Sequence, residues 1–344
     1  MSHDKHKIAL IGFGTVAHGL IEILHDRRNQ LYENKDFNFD IVAVATRSRG
    51  TMYHPDGLPL DELLSLGKSS DPFTKHLKEW SVETMIRESN ATIIIELSHT
   101  DLETAEPALT YCRTALETGK HVVSGNKGPA AISYHELVTI ASKHGKLYLN
   151  EATVLSGTPV FSLARSALAG VKIKRIRGIL NGATNFILSE MEAGTPYSVA
   201  MGDAEKLGYL EADHTADIEA YDAQAKLVIL ANILMSVPLR LKDVERSGIS
   251  HLDFQEIQSA RDKGERWKLV ATIDVLEGSV QAKVKAERLS LKDPLAHVMG
   301  TTNAIILSTD LLGDISISGP GAGSVETGYA ILSDLLTINS EVSS

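Results

Sequence analysis

Asp222 and Lys226 are the only charged residues in the run Asp222-Ala-Gln-Ala-Lys226-Leu-Val-Ile-Leu-Ala-Asn-Ile-Leu-Met235. Standing four apart, they share one face of a helix, a turn from each other. A lysine so placed can give a proton to an oxygen that gains charge, and an aspartate beside it can hold a cationic group. Residues 220–235 read as a helix because Ala, Leu and Ile dominate and neither Pro nor Gly interrupts them. The run is apolar almost all round, the pattern of a buried element. An exposed i,i+4 pair contributes well under about 1 kcal/mol, whereas buried charges are costly unless paired or employed. The surroundings of the pair favour a working couple over a surface ion pair.

With 344 residues, 43% of them hydrophobic, the chain can bury a sizeable core and reads as two domains. A net charge of −10 argues against nucleic acid or an anionic membrane as the main partner. Cys112 is the single cysteine, so an internal disulfide is excluded and a reducing compartment fits. It lies in a helix-like run, 108–116, and reads as a buried inert thiol rather than a nucleophile. Residues 1–7 contain no apolar signal stretch, and no run approaches the ~20 apolar residues of a membrane span, so the expectation is a cytoplasmic protein. The thirteen histidines show no ligand-like spacing, and no transition metal is assigned.

Residues 7–11 read as a buried strand, followed by Gly12-Phe13-Gly14-Thr15-Val16-Ala17 and a helical run, 16–25. Strand, Gly-x-Gly-x-x-Ala, helix is the dinucleotide-binding fingerprint. The first glycine allows the turn and the second admits the pyrophosphate. The small third residue packs helix on strand, and the helix N-terminus receives the phosphates. A second strand, 39–45, ends in Thr46-Arg47-Ser48-Arg49, where an NAD enzyme usually carries a carboxylate for the ribose. Arg47 would instead bind a 2′-phosphate, which predicts NADP in preference to NAD, although NAD remains open. Residues 50–71 read as loop-rich because of Pro55, Gly57 and Pro59.

A strand over 91–97 ends at Ser98-His99-Thr100, small polar residues at the edge where ligands bind in this architecture, and Asp101 is expected to cap the next helix. Residues 121–127 read as another strand running into a polar turn, which places Lys127 on the same rim as the glycine loop. After a helix, 134–144, the chain leaves the first domain. A strand over 173–180 then meets Asn181-Gly182, a turn signal, with Thr184 as the cap of a helix through 191. Residues 196–207 form a helix closed by Gly208. Period-two runs over 265–288, joined at Glu277-Gly278, make a hairpin, and 303–308 and 315–317 add strands. The glycine turn 319–323 precedes a terminal helix, 325–336, inferred to return to the first domain. The fold class is α/β: a Rossmann-type domain over 1–150, completed by 319–344, plus an α+β domain over 151–318.

The glycine loop, Val123-Ser-Gly-Asn-Lys127, Glu151-Ala-Thr-Val154, Asn181-Gly-Ala-Thr-Asn185, Gly208-Tyr-Leu-Glu-Ala-Asp213, Asp222 to Lys226 and Gly319-Pro-Gly-Ala-Gly323 stand in one order. With all of them the chain resembles homoserine dehydrogenase over nearly its whole length. The resemblance implies interconversion of L-aspartate 4-semialdehyde and L-homoserine with NAD(P)H, on the route to threonine, methionine and isoleucine. It also implies a homodimer whose central domain serves dimerisation and substrate binding. Lys226 would be the acid/base, Glu211 and Asp222 would bind substrate, and Lys127 would reach cofactor and substrate. Asp217 and Thr184 are expected in the substrate set. Gly208 and Gly323 would line the cofactor with Gly12, Phe13, Gly14, Thr15, Val16, Arg47 and Ser98. Main-chain oxygens of Glu151, Val154, Ser156 and Thr158 would match the family's sodium or other monovalent cation site.

Two motifs depart from the family's. It commonly has Val-Thr-Ala-Asn-Lys where this chain has Val-Ser-Gly-Asn-Lys, and Asn-Gly-Thr-Thr-Asn where this chain has Ala183. Ala183 therefore lacks one hydroxyl. With no regulatory extension expected beyond the terminal helix and no kinase domain before the glycine loop, feedback through an appended domain is not expected. Another NAD(P)-dependent oxidoreductase of a small aldehyde or sugar would give no reason for Glu211, Asp222 and Lys226 together. A non-catalytic dinucleotide sensor would need an interaction element that the sequence does not display.

Overall fold

Ile8, Ala9, Leu10 and Ile11 are apolar on both faces of β1 (His6–Ile11), as a strand covered from both sides requires. In this computed structural model, which describes residues 5–67, 71–210, 213–276 and 279–343, β1 lies inside a seven-stranded sheet. Its other strands are β2 (Phe39–Thr46), β3 (Gly50–Tyr53), β4 (Leu77–Lys78), β5 (Ile93–Glu96), β6 (His121–Ser124) and β7 (Tyr148–Leu149). The order is β4-β3-β2-β1-β5-β6-β7, parallel from β2 to β7, with β3 and β4 as an antiparallel edge. Strand order reverses between β1 and β5, and in open sheets of this kind ligands bind outside the carboxyl ends at that point.

Each face of the sheet carries its own core. Ile8, Leu10, Ile93 and Ile95 point to one face with Leu20, Ile21, Leu24, Ile331 and Leu335, while Ala9, Ile11 and Ile94 point to the other with Cys112, Leu116 and Leu137. The first of these cores uses residues from both ends of the chain. The helix Thr15–Asp26 and the terminal helix Ser324–Ser343 meet where neither has a side chain: a Cβ on Gly19 would lie 2.1 Å from Ser324 O, and one on Gly328 2.5 Å from Leu20 N. Met1–Ser162 with Gly323–Ser344 accordingly forms one compact unit, and Leu163–Ala322 a second.

The second unit is built on β8 (Ile173–Ile179), β9 (Glu245–Arg246), β10 (Glu265–Leu276), β11 (Ser279–Ser290), β12 (Thr302–Thr309) and β13 (Asp314–Pro320), ordered β13-β12-β8-β10-β11-β9. Its neighbours are antiparallel except β9 and β11. The helices Gly182–Ala193, Tyr221–Leu234 and Phe254–Asp262 contact β10. This is the expected pairing of a Rossmann-type unit with an α+β unit.

Several local expectations need correction. Residues 50–71 are not loop throughout: they hold β3 and a helix, Leu60–Gly67, which begins one residue after Pro59 and buries Leu60 and Leu63. Asp101 caps no helix, because its carboxylate accepts the Glu103 and Thr104 N–H groups of its own turn and the next helix starts at Ala108. Asn181, not Thr184, caps Gly182–Ala193. Residues 151–162 fall in the first unit, and Gly319 and Pro320 are consumed by β13 in the second. The hairpin strands are β10 and β11, and their joint at Glu277-Gly278 lies outside the described residues. Cys112 is buried, and that burial pushes its thiol well above its usual range, so it is the inert thiol expected.

Candidate active site

In the first unit Gly12 follows β1 at φ +89°, and a Cβ there would lie 2.5 Å from Leu97 O, so only glycine fits. Gly14 differs. It precedes the helix Thr15–Asp26, a Cβ on it would meet nothing within 4 Å, and Gly14 and Thr15 are exposed. The first turn carries no acidic side chain, so its uncommitted N–H groups face outward as an anion site without repulsion. Ala17, the small third residue, is fully buried, and Val16 is half-buried.

No carboxylate stands at the end of β2; the Thr46 hydroxyl there accepts the Arg49 N–H at 2.8 Å. Arg49 is buried, donates to Asp71 O (2.7 Å) and Leu66 O (3.1 Å), and lies over Phe73 at 4.4 Å and Phe13 at 5.8 Å. It braces Phe13 in the glycine turn. Arg47 is exposed and is the guanidinium of the two that a solute can reach.

The carboxyl ends of β5 and β6 are tied together. Glu96, fully buried, accepts the Ser98 N–H at 2.9 Å, and its carbonyl accepts the Gly125 N–H at 3.0 Å. Burial raises the Glu96 carboxyl above the usual range. Asn126 donates to Ser98 O and His99 O, each at 3.2 Å, and accepts the Gly128 N–H at 2.9 Å. It thereby caps the helix Lys127–Ile132, so Lys127 opens a helix instead of sitting in a turn.

The Glu151 carboxylate is fully used: Oε1 accepts Val160 N–H (2.6 Å) and Phe161 N–H (2.9 Å), and Oε2 accepts Ser162 N–H (2.6 Å). Its own N–H donates to Asp334 Oδ2 at 2.8 Å. The segment between is turned at Leu155, φ +48°, with Val154 and Thr158 buried and the Ser156 hydroxyl 3.1 Å from that of Thr327. Any cation here would meet neutral main-chain oxygens, a donor set suited to a hard ion of low charge. Among the described residues no group of three or more His, Cys, Asp or Glu side chains could hold a metal.

In the second unit Thr184, Asp217, Asp222 and Lys226 come together around Asn181, a residue of the motif 181–185 to which the sequence assigns no role of its own. Asn181, buried at the end of β8, donates from Nδ2 to Asp217 Oδ1 (2.6 Å) and Asp222 Oδ2 (3.0 Å). Its Oδ1 accepts the Thr184 N–H at 2.9 Å, and the fully buried Thr184 hydroxyl lies 3.0 Å from the same atom. Thr184 therefore holds Asn181 rather than facing outward. Lys226 Nζ lies 2.7 Å from Asp222 Oδ2 and donates to Leu180 O at 2.8 Å, with side-chain exposures of 12% and 15% for the pair. An ammonium has three N–H bonds; the third has no acceptor among the described residues. Among the described residues of this cluster two carboxylates stand with one ammonium, a balance complementary to a cationic substrate group.

The start of this helix is held unusually. Ala220 sits in the left-handed region at φ +62°, which costs an L-residue about 1 kcal/mol or more. Around it Gln224 donates to Leu241 O (2.9 Å), Arg246 bonds Glu219 O and lies 3.5 Å over the Tyr221 ring, and Gly248 packs so closely that a Cβ would meet Ile218 O at 2.0 Å. Asn181 had a signal in its cap preference, and Gly248 had none. Glu211 lies outside the described residues. Gly208, φ +74°, closes the helix Tyr197–Lys206, and Gly323, φ +135°, precedes the terminal helix of the first unit.

A largely parallel sheet with a glycine turn at its switch point is the architecture of a dinucleotide-binding protein, and a buried lysine paired with an aspartate is the kind of proton donor that a nicotinamide-dependent oxidoreductase uses. The family profiles described as "Homoserine dehydrogenase, NAD binding domain" and "Homoserine dehydrogenase" match residues 12–151 and 159–336. The chain is 41% identical to an NAD(+)-dependent homoserine dehydrogenase of Pseudomonas canavaninivorans over 97% of this chain and 96% of that protein. It is 37% identical to a homoserine dehydrogenase of Methanocaldococcus jannaschii over 96% and 98%. A solved hyperthermophilic archaeal homoserine dehydrogenase in complex with NADPH superposes with a TM-score of 0.82 at 29% identity, covering 97% of this chain and 98% of that one. The chain belongs to the homoserine dehydrogenase family.

Proposed function

We propose that the protein interconverts L-homoserine and L-aspartate 4-semialdehyde, within the biosynthesis of threonine, methionine and isoleucine. The observation that carries this reading is the Lys226 ammonium, held by Asp222 and Leu180 O, with no acceptor for its third N–H among the described residues. A bound nicotinamide supplies or accepts the hydride. Lys226 gives its Nζ proton to the aldehyde oxygen as that oxygen gains charge, and takes the hydroxyl proton in the opposite direction. Asp222, Asp217 and Glu211 receive the substrate ammonium, and Thr184 serves by holding Asn181.

Gly12, Phe13, Gly14, Thr15, Val16, Ser98, Lys127 and Gly323 of the first unit serve the cofactor, as Gly208 does in the second. Arg47 gives the preference for NADP: its reach into solvent and the absence of a carboxylate at the end of β2 support this. Main-chain oxygens of Glu151, Val154, Ser156 and Thr158 hold sodium or another monovalent cation, a reading supported by the commitment of the Glu151 carboxylate elsewhere. The protein works as a homodimer in the cytoplasm, joined through the unit that binds substrate. Oxidation of L-homoserine, followed by reduced-nicotinamide absorbance with NADP+ and with NAD+, tests the reading. Turnover is expected with both, about tenfold more efficient with NADP+, the gap closing in Arg47→Ala. No turnover with either cofactor would overturn it. Exchange of sodium for choline should lower the rate, and sedimentation should give twice the chain mass.

A further inference from the structure

Lys268, on β10, is one of the largest fully buried side chains, and nothing in the reaction above uses it. Its three donors all have acceptors, and none is a carboxylate: Asn185 Oδ1 at 2.9 Å, Val298 O at 2.5 Å and Met299 Sδ at 3.5 Å. The bond to Asn185 Oδ1 fixes which way that amide points. Its Nδ2 then donates to Val298 O (3.1 Å), Gly300 O (2.9 Å) and Thr302 O (3.2 Å). Lysine and asparagine together gather the segment 298–302 onto the helix Gly182–Ala193. Thr301 presses against the first residue of that helix, where a Cβ on Gly182 would lie 2.6 Å from Thr301 O. One turn before Asn185 stands Asn181, whose carbonyl accepts the Asn185 N–H at 3.3 Å and whose side chain joins Asp217 to Asp222.

We propose that Lys268 is a positioning residue: by holding Asn185 and the segment 298–302 against the first turn of this helix, it sets Asn181 and hence the spacing of Asp217, Asp222 and Lys226. A purely structural buried ammonium would be a poor choice. Taking an unpaired charge out of water is costly, and an apolar residue of the same shape is often neutral or stabilising. Burial pushes Lys268 down to about 8. The charged groups around it are Glu192, ion-paired to Arg266, and Glu287, its cross-strand neighbour, ion-paired to Lys283. Glu192 opposes the lowering and Arg266 adds to it. Loss of the proton removes one of three donors, so the grip loosens as pH rises past that value.

This inference rests on the reading of the Asn181 cluster, and the experiment separates the two. Lys226→Ala tests the cluster itself. Lys268→Met tests its support: homoserine kcat/KM is expected to fall by about ten- to a hundredfold, the scale of a ~1 Å misplacement, with cofactor Kd and melting temperature nearly unchanged. Glu192→Gln, which touches neither substrate nor cofactor, should shift the alkaline fall of wild-type kcat/KM to lower pH, and Lys268→Met should abolish that component. If Lys268→Met does not fold, the Glu192→Gln pH profile alone decides. Ordinary kcat/KM in a folded Lys268→Met, or an alkaline limb unmoved in Glu192→Gln, would overturn the proposal even where Lys226→Ala is inactive.

Discussion

The glycine turn of the first unit and the Asn181 cluster of the second solve opposite problems. At the glycine turn the useful groups are backbone N–H donors at a helix start, and the sequence contributes by leaving side chains out: Gly12 for the close pass under Leu97 O, Gly14 for open space. Around Asn181 the useful groups are side chains brought from three elements, each held by a named partner. A site of missing side chains tolerates exchange of its neighbours but not of its glycines. A site of paired charges fails when any one partner is removed, because the others are left buried and unmatched.

The widest separation between the two is expected from Lys226→Ala. Loss of the proton donor should lower kcat by about a thousandfold while NADPH fluorescence titration gives an unchanged Kd. A weakened Kd would mean the two regions are not independent. Asn181→Ala removes the bridge between Asp217 and Asp222 and should cost about a hundredfold in kcat/KM, chiefly through KM for homoserine, as pre-steady-state turnover would resolve. Gly19→Ala should act on the other side of the comparison. Its Cβ would strike Ser324 O, so about 2 kcal/mol of stability is expected to be lost by denaturant unfolding, with cofactor binding weakened and substrate KM spared once cofactor saturates.

The smallest effect is a pH dependence confined to the first unit. His121, buried on β6 and accepting the Leu147 N–H, is lowered to about 4 by burial, then by Lys146 and His6. The unfolded chain takes up a proton near pH 6.5 and the native form only near 4, so the stability from neutral His121 is complete above 6.5 and drains away between 6.5 and 4. Melting temperature should drop by about 2–4 °C across that window and drop less in His121→Gln. An equal drop in both would assign the acid sensitivity elsewhere.

Much of the first unit could be read directly, because a buried parallel strand and a glycine turn are local statements: four apolar residues, then Gly-x-Gly, then a helix. The lysine helix was legible for the same reason, its two charges standing out against an apolar run. What the sequence could not carry was pairing over distance. Asn181 and Asp222 lie 41 residues apart, and only folding makes their hydrogen bond a bridge. Thr184 has the residue type of a cap, yet the cap is Asn181, and burial turns the Thr184 hydroxyl back onto it. Gly19 and Gly328 carry no local signal, since what they permit is the approach of a helix from the far end of the chain. Lys268 read as one more polar residue of an alternating strand; its full burial against carbonyls was decided by the sheet and the segment 298–302 together. Local chemistry chose the residue types, and the three-dimensional packing chose which of them meet.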